Sequence, residues 1–292
     1  MADWVKIKIT DSIYPQLLKE IYNPPKEFWA KGDLSLLKEQ LNVSMVGTRR
    51  CDDYGLSLAE YYATKLSNLG ATIVSGMALG IDSACHKSVL KTTNKTIGVL
   101  ACGPDKIYPT SNYALRKEME EKALLITPYD FGSGVTRDFT ERNRIISGLS
   151  LATVIVEAPS KSGAMITAST ATEQNRDVYT FAGDMFNPNL SGNIELLSSG
   201  AQLLFDPKSF VEHYISLYDL KLKTEEKPKT IGPKLNDDEK LVYKSIIGIT
   251  SLEMIIEKTS LIPQKAISIL TKLEILGLIS QMPGKRFKHT ER

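Results

Sequence analysis

Residues 43–50 read VSMVGTRR, an apolar run that ends at a glycine and is followed by two arginines. A short apolar run of this kind is typical of a strand buried in a sheet. Nucleotide-binding folds place glycine directly after such a strand, because the missing Cβ lets the backbone approach a phosphate. This stretch lacks the further glycines of a GxGxxG motif and carries arginines instead. We therefore expect the turn at 47–50 to face an anion.

The alternation of strand and helix continues to about residue 215. Apolar runs predict strands at Val43–Val46, Thr72–Ser75, Thr96–Ala101, Leu124–Ile126, Thr153–Glu157 and Val178–Phe181. Helical periodicity between them predicts helices at Tyr54–Leu69, Ile81–Leu90, Asn112–Glu121, Glu141–Leu149 and Thr167–Asn175. Several strands are apolar on both faces, as in a covered parallel sheet, so the pattern predicts a doubly wound α/β fold with a mainly parallel sheet.

Composition divides the chain into four parts. Residues 1–40 predict a lead-in segment packed on the main domain, which spans 41–218. Residues 219–234 include the polar stretch KLKTEEKPKTIGPK and predict a linker. Residues 235–292 predict three helices and a β-hairpin, which is a winged helix-turn-helix. Its third helix, Pro263–Gly277, carries only Lys265 and Lys272 as cations, so contact with a protein is as plausible as major-groove recognition.

Bulk composition constrains the class of protein. The chain has 292 residues, 42% of them hydrophobic, and a net charge of +2, so any binding of nucleic acid requires cations gathered in one groove. Its three cysteines have no CxxC spacing, and there is no signal-peptide core or membrane-length apolar run. These features favour a cytoplasmic protein.

Further strand ends carry groups suited to an anion. Ser75-Gly76 follow the second strand, and Lys161-Ser162-Gly163 precede the helix predicted at Thr167. Arg142-Asn143-Arg144 would place forked donors nearby, with Phe139 available for stacking on a base. Each feature alone is common in loops, surfaces or cores, but all map to one edge of one sheet. A chain of phosphates, rather than a single phosphate, would use so many donors.

The sequence offers little support for catalysis. It lacks GxxxxGK[ST], HExxH and any metal-spaced cluster of cysteine and histidine. No paired carboxylates or activated nucleophile stand out, and Asp82 fits the start of a helix better than a general base. We therefore expect no catalytic residue, no metal and no cofactor.

The ordered motifs resemble those of the DNA-processing protein A family (DprA, also called Smf). They are VGTRR at 46–50, SGMALGIDSACH at 75–86, CGPDKIYP at 102–109, RNRIISGLS at 142–150, IVEAPSKSGAMITA at 155–168, TEQNRDV at 172–178 and GNIELLSSGA at 192–201. The resemblance implies an extended Rossmann-like domain that binds single-stranded DNA without catalysis. It also implies a homodimer that helps load the RecA recombinase during natural transformation.

The same resemblance implies which residues bind DNA. They are Gly47, Thr48, Arg49, Arg50, Ser75, Gly76, Phe139, Arg142, Asn143, Arg144, Lys161, Ser162, Gly163 and Thr167. The chain departs from the family at Leu79, where an arginine is frequent, and at Asp138, where a histidine is frequent. Glu141 adds a negative charge beside the expected phosphate path.

Two other functions stay open at this stage. One is a nucleotide phosphoribohydrolase-like enzyme of a related Rossmann-type group, whose motif is PGGxGTxxE. The comparable stretch here, PSKSGAMITASTATEQ, lacks the double glycine and the properly placed glutamate. The other is a small-nucleotide sensor that signals through the winged helix.

Overall fold

The computed structural model describes residues 3–136, 138–222, 235–246, 250–282 and 284–289. These residues form two compact units, one ending at residue 222 and one beginning at residue 235. Each unit is described by itself below.

The large unit is built on a nine-stranded sheet. Its strands are β1 (Val5–Lys8), β2 (Glu27–Gly32), β3 (Asn42–Val46), β4 (Thr72–Ser75), β5 (Thr96–Val99), β6 (Leu124–Thr127), β7 (Ala152–Ile155), β8 (Asp177–Thr180) and β9 (Gln202–Leu203). Their order across the sheet is β1-β2-β6-β5-β4-β3-β7-β8-β9. The strands from β3 to β9 are parallel, whereas β1 and β2 are joined antiparallel at one edge.

Helices cover both faces of this sheet. They are α1 (Gln16–Lys19), α2 (Asp53–Asn68), α3 (Ile81–Leu90), α4 (Tyr113–Lys122), α5 (Thr140–Gly148), α6 (Gly163–Glu173), α7 (Ser191–Ser198) and α8 (Pro207–Tyr218). Successive strand residues point to opposite faces. Met45 therefore joins the core beneath α2, α3 and α8, and Val46 joins the core beneath α1, α5 and α6. The predicted doubly wound, mainly parallel α/β fold is confirmed.

The strand order places a crevice at the centre of the sheet. The chain runs outward from β3 to β4, β5 and β6 on one side, and then returns to β7, β8 and β9 on the other. The direction of winding thus reverses between β3 and β7. In open α/β sheets, ligands bind outside the carboxyl ends of the strands at this point.

Three features differ from the sequence-based expectations. The lead-in segment supplies β1 and β2 to the sheet, and Trp29 pairs with Thr127 of β6. The alternation of Val5 and Ile7 with lysines is itself a strand signal, but it lacks the continuous apolar run from which the buried strands were predicted. Helix α6 begins at Gly163, four residues before the predicted start at Thr167. Leu220 and Leu222, within the predicted linker, pack against the core of the large unit, and residues 223–234 lie outside the described residues.

The small unit contains three helices and a three-stranded sheet. Its elements are α9 (Asp237–Ser245), β10 (Thr250–Ser251), α10 (Leu252–Thr259), α11 (Pro263–Ile275), β11 (Ile279–Met282) and β12 (Arg286–His289). A capping box between Asn236 and Glu239 starts α9. Leu270, Leu273 and Phe287 form part of its core. This order of elements is the one expected of a winged helix.

Candidate functional site

A cleft of about 340 Å³ opens at the carboxyl ends of β3 and β7. Its walls come from the turn after β3, the loop after β4 and the first turns of α5 and α6. Ten of the fourteen predicted site residues line it: Gly47, Thr48, Arg49, Arg50, Phe139, Arg142, Asn143, Ser162, Gly163 and Thr167. The reversal of the sheet therefore brings together residues that lie more than a hundred positions apart in the sequence.

The turn after β3 is held in place by its backbone. The amide of Thr48 donates to the carbonyl oxygen of Glu157 at 2.7 Å, which ties the turn to the end of β7. The amide of Arg50 donates to the Thr48 hydroxyl at 3.2 Å. Arg49 and Arg50 themselves are exposed. The turn thus offers two accessible cations on a fixed backbone.

Phe139 joins the cationic groups of the cleft. The Arg49 guanidinium carbon lies 4.9 Å from the centre of its ring, and that of Arg142 lies 5.5 Å away. Tyr108 stacks on the same ring, with centroids 6.4 Å apart. Cations are attracted to the face of an aromatic ring at such distances. One half-buried ring therefore positions two arginines from different elements.

Arg142 is largely enclosed, with 5% of its surface exposed. Its Nη1 donates to the carbonyl oxygen of Gly76 at 2.5 Å, and its Nε has no partner within the described ranges. A Cβ on Gly76 would lie 1.7 Å from this Nη1, so only glycine admits the guanidinium here. Burial lowers the pKa of Arg142, but arginine in proteins keeps its charge. Arg142 therefore supplies a fixed positive charge from the floor of the cleft.

Asp82 shapes the loop after β4. It lies in the first turn of α3 and is 4% exposed. Its Oδ2 accepts from the amides of Gly76 at 3.2 Å and Ala78 at 3.3 Å. Burial raises its pKa, and the nearby charge of Arg142 opposes that rise. Asp82 lines the cleft, although the sequence analysis did not predict it there. Its position at the start of a helix was the only feature of the sequence that could have indicated this.

The start of α6 presents donors to the cleft. Ser162 occupies the N-cap position, yet its hydroxyl is buried and has no partner in the part of the chain that the structure describes. Next to it, Gly163 has no atom within 4 Å of where a Cβ would be. The N-terminus of a helix attracts anions through its free amides and its dipole. A serine hydroxyl without a partner beside such an end suits a phosphate oxygen.

Four predicted residues do not line the cleft. Ser75 is buried and donates to the carbonyl oxygen of Met45 at 2.6 Å, and Gly76 lies behind Arg142. Arg144 turns away and donates to the carbonyl oxygen of Tyr22. Lys161 is exposed on the loop directly before Ser162. Ser75 and Gly76 thus support the wall, and Lys161 borders it.

The side chains of Thr167 and Asp138 both make local contacts with the backbone. Thr167 is buried within α6, where its hydroxyl donates to the carbonyl oxygen of Gly163 at 3.3 Å. Asp138 accepts from the amide of Thr140, the first residue of α5, at 2.9 Å. The carboxylate at 138 therefore has a local structural role.

Glu157 is a buried carboxyl group near the cleft that the sequence analysis did not select. It follows β7, is fully buried, and accepts from the amide of Asp52 at 3.3 Å. Burial raises its pKa to about 7, and the carboxylate of Asp52 adds to the rise. An acidic residue at the end of the apolar run before Ala158-Pro159 was the available signal. A titrating carboxyl thus lies directly behind the turn that carries Arg49 and Arg50.

The described residues contain no group of three histidine, cysteine, aspartate or glutamate side chains arranged to hold a metal ion. Within the same residues, no helix combines the length and the apolar character that crossing a membrane requires.

Comparison with known proteins gives consistent matches. A model of the family described as DNA recombination-mediator protein A matches residues 6–215. DNA processing protein DprA of Bacillus subtilis is 37% identical over 70% of this chain and 70% of its own length. Protein Smf of Synechocystis is 34% identical over 95% of this chain and 78% of its own.

Solved structures agree with these matches. DNA processing protein A from Streptococcus pneumoniae superposes with a TM-score of 0.68 at 35% identity, over 72% of this chain and 74% of that one. DNA processing protein A from Helicobacter pylori, whose structure concerns its single-stranded DNA binding mode, gives a TM-score of 0.67 at 30% identity. That match covers 74% of this chain and 97% of the other.

Proposed function

The chain belongs to the DNA recombination-mediator protein A family, and we propose that it binds single-stranded DNA with little sequence preference in the cleft between β3 and β7. The observation that carries this proposal is the convergence of Arg49, Arg142 and Phe139 in that cleft. Forked cations attract phosphates, and aromatic rings and guanidinium planes offer stacking surfaces for bases. The related Helicobacter pylori protein binds single-stranded DNA.

The cleft contains two kinds of group, one that binds phosphates and one that contacts bases. The exposed Arg49 and Arg50, the unpartnered Ser162 hydroxyl and the start of α6 hold phosphates. A base stacks on the exposed Arg49 guanidinium, which the Phe139 ring supports from its other side. Phosphate contacts and stacking carry no sequence information, so binding depends little on sequence. The site acts by binding and needs no catalytic residue or cofactor.

The bound strand is then delivered to the RecA recombinase, in recombination and natural transformation, by a cytoplasmic homodimer. The description of the family as a recombination mediator supports this role. The exposed edge of the sheet at β9 supports the dimer, since Leu203 and Phe205 are 49% and 82% exposed there. An unpaired strand with exposed apolar side chains is a ready surface for a second copy.

The central test compares two double variants of equal charge change. Arg49→Ala with Lys161→Ala removes cations at the cleft, whereas Lys91→Ala with Lys122→Ala removes two exposed lysines that precede strands and so lie toward the opposite edge of the sheet. Fluorescence anisotropy with labelled oligothymidylates of graded length should show at least a roughly tenfold loss for the cleft variant, about 1.4 kcal/mol. The control should bind like the wild type. Equal affinities for the two variants would show that the cleft does not bind the single strand.

The salt dependence gives an independent count of contacts. Each phosphate contact to a single strand contributes a slope of about −0.7 to the logarithm of affinity against the logarithm of salt concentration. The cleft variant should therefore show a shallower slope than the wild type. A RecA strand-exchange assay on the same variants then asks whether delivery fails together with binding.

A further inference from the structure

The loop after β8, residues 182–190, carries an aromatic side chain that is almost fully exposed. Phe186 has 94% of its surface exposed, and Met185 beside it has 77%. The loop follows the carboxyl end of β8, which is parallel to β7, so it lies at the same edge of the sheet as the cleft. Single exposed apolar side chains are ordinary on protein surfaces, so the surroundings of Phe186 decide whether it has a function.

Hydrogen bonds hold this loop in a defined shape. The Oδ1 of Asp184 accepts from the amide of Phe186 at 2.9 Å, and the carbonyl oxygen of Asp184 accepts from the amide of Asn187 at 3.1 Å. The Nδ2 of Asn187 donates to the Oδ2 of Asp52 at 2.8 Å, which ties the turn to the start of α2. Leu190, at the end of the loop, is 1% exposed. The exposed ring is therefore carried on a structured turn.

The same loop borders the cleft. The Nδ2 of Asn189 donates to the carbonyl oxygen of Arg50 at 3.4 Å. Directly after the loop, the hydroxyl of Ser191 accepts from the amide of Ser160 at 3.0 Å, next to Lys161. Strand β8 is two strands away from β3, about 10 Å at the usual strand spacing. About three nucleotides cover that distance even at the rise of a stacked strand.

The charges on this side of the cleft suit a phosphate chain. Arg50 and Lys161 are exposed, and neither forms an ion pair within the part of the chain that the structure describes. The carboxylates of Asp52 and Asp184 each accept from a backbone amide. The two cations between the cleft and the loop are therefore available to phosphates.

The opposite direction along the sheet, toward the loops after β5 and β6, is less suited to a strand. Phe131 is 52% exposed there, but it packs edge to face on Trp29 with ring centroids 5.0 Å apart. The Nζ of Lys6 lies 2.6 Å from Glu27 and 3.3 Å from Asp130. The aromatic and cationic groups on that side are thus engaged with each other and with carboxylates.

The apolar side chains at β9 belong to a different part of the surface. The carbonyl oxygen of Phe205 accepts from the hydroxyl of Tyr62 at 2.9 Å. Tyr62 lies about 14 Å along α2 from Asp53, since each helical residue adds about 1.5 Å. The loop of Phe186 instead contacts Asp52, at the very start of α2. Phe186 therefore lies with the cleft at the carboxyl edge, and not beside Phe205.

We propose that a single strand bound in the cleft continues past Arg50 and Lys161 and stacks a further base on Phe186. This second stacking site rests on the proposed function of the cleft and extends it toward β8. An aromatic face accepts any base, so the site reads no sequence. Its effect is to make affinity depend on the length of the strand.

The test uses the full chain and labelled oligothymidylates of about 4 to about 16 nucleotides, with affinity measured by anisotropy. Phe186→Ser removes the exposed ring. Tyr218→Ser is the matched control, because it removes an aromatic side chain that is 52% exposed on α8. Tyr218 borders a cavity together with Asn42, the first residue of β3, so it lies toward the amino ends of the strands. Phe186→Trp keeps an aromatic face and adds a fluorescent reporter.

Phe186→Ser should bind the longest oligothymidylates at least about fivefold more weakly than the wild type, the loss expected for one stacked base. The shortest oligothymidylate that binds should have the same affinity for both proteins. Tyr218→Ser should match the wild type at every length. Phe186→Trp should bind within a few-fold of the wild type, and its emission should change with long strands but not with the shortest. Phe186→Ser should unfold at the same denaturant concentration as the wild type, because the ring is exposed.

Three results would overturn the second stacking site. One is an unchanged length dependence in Phe186→Ser, and another is an equal loss at every length, which would place the ring in the cleft itself. The third is a change from dimer to monomer in light scattering, which would assign Phe186 to contact between two copies of the chain. A wild type that binds no oligothymidylate of any length would refute the function of the cleft as well. Normal binding that does not depend on Phe186 would refute the second stacking site alone.

Discussion

The guanidinium of Arg142 donates to the carbonyl oxygen of Gly76 across 2.5 Å and so joins helix α5 to the loop after β4. Asp82 accepts from the amide of the same glycine at 3.2 Å. A buried cation and a buried carboxylate thus hold the backbone of one residue, the first at its carbonyl oxygen and the second at its amide. Both the shape and the positive charge of the cleft therefore depend on Arg142.

Replacing Gly76 with alanine tests this arrangement. The new Cβ would lie 1.7 Å from the Arg142 Nη1 and 2.8 Å from the Asp82 Oδ2, so the guanidinium must move. We expect a loss of about 1–3 kcal/mol in the free energy of unfolding, as for other overpacked sites. Affinity for oligothymidylate should fall roughly tenfold, about 1.4 kcal/mol. Denaturant unfolding and anisotropy measure the two effects.

Gly163→Ala is the matched control for stability. No atom lies within 4 Å of its Cβ position, and the residue opens α6. Its free energy of unfolding should stay level or rise by up to about 1 kcal/mol, since alanine favours a helix over glycine. If Gly76→Ala were as stable as this control and bound DNA normally, the Arg142–Gly76 bond would not determine the cleft.

Phe139→Leu tests the contribution of the aromatic ring separately from that of an apolar side chain at this position. Leucine keeps an apolar side chain at the start of α5 but removes the π face beneath Arg49 and Arg142. We expect affinity for oligothymidylate to fall about 5- to 30-fold, the equivalent of roughly 1–2 kcal/mol for cation–π and stacking contacts. Phe139→Tyr, which retains the π face, should bind within a few-fold of the wild type. Full affinity in the leucine variant would show that the ring is not used.

The sequence predicted the parts of the molecule that have a regular pattern. Buried parallel strands are apolar on both faces, so the runs at 43–46 and 72–75 indicated strands directly. Their carboxyl ends share one edge, so the glycine and arginine turns could be grouped before any contact was known. This reasoning and the family resemblance together predicted ten residues that line the cleft.

Contacts between distant segments could not be predicted in the same way. Gly55 lies in the first turn of α2, where a Cβ would come within 1.6 Å of the Glu157 Oε2, about a hundred residues away in sequence. Arg144 is next but one to Arg142, yet helical geometry turns it toward the carbonyl oxygen of Tyr22 instead of the cleft. Neither fact follows from local sequence, because both depend on which segments the fold brings together.

The edge strand β9 gives a prediction for assembly. Leu203→Glu with Phe205→Glu places two carboxylates on the exposed edge, and like charges facing each other across a dimer oppose pairing. We expect the mass in solution, measured by light scattering, to fall from that of a dimer to that of a monomer. Tyr113→Glu, at an exposed position on α4, should stay dimeric. A dimer that persists in the edge variant would place the interface elsewhere.

Glu157 gives a prediction for pH. Burial, followed by the Asp52 carboxylate, raises its pKa in the folded chain from 4.5 to about 7. The folded chain therefore holds this proton more tightly than the unfolded chain does. The resulting contribution to stability is complete below pH 4.5 and is lost as the pH rises through about 7.

Ionisation of Glu157 also places a negative charge behind the turn that carries Arg49 and Arg50. We expect affinity for oligothymidylate to fall as the pH rises through about 7, at constant ionic strength. Glu157→Gln keeps an oxygen that can accept from the Asp52 amide but cannot ionise, so its affinity should vary less with pH and match that of the wild type on the acid side of neutrality. Anisotropy titrations on both sides of neutrality measure this difference. Parallel pH profiles for the two proteins would mean that Glu157 does not titrate in this range or does not act on the bound strand.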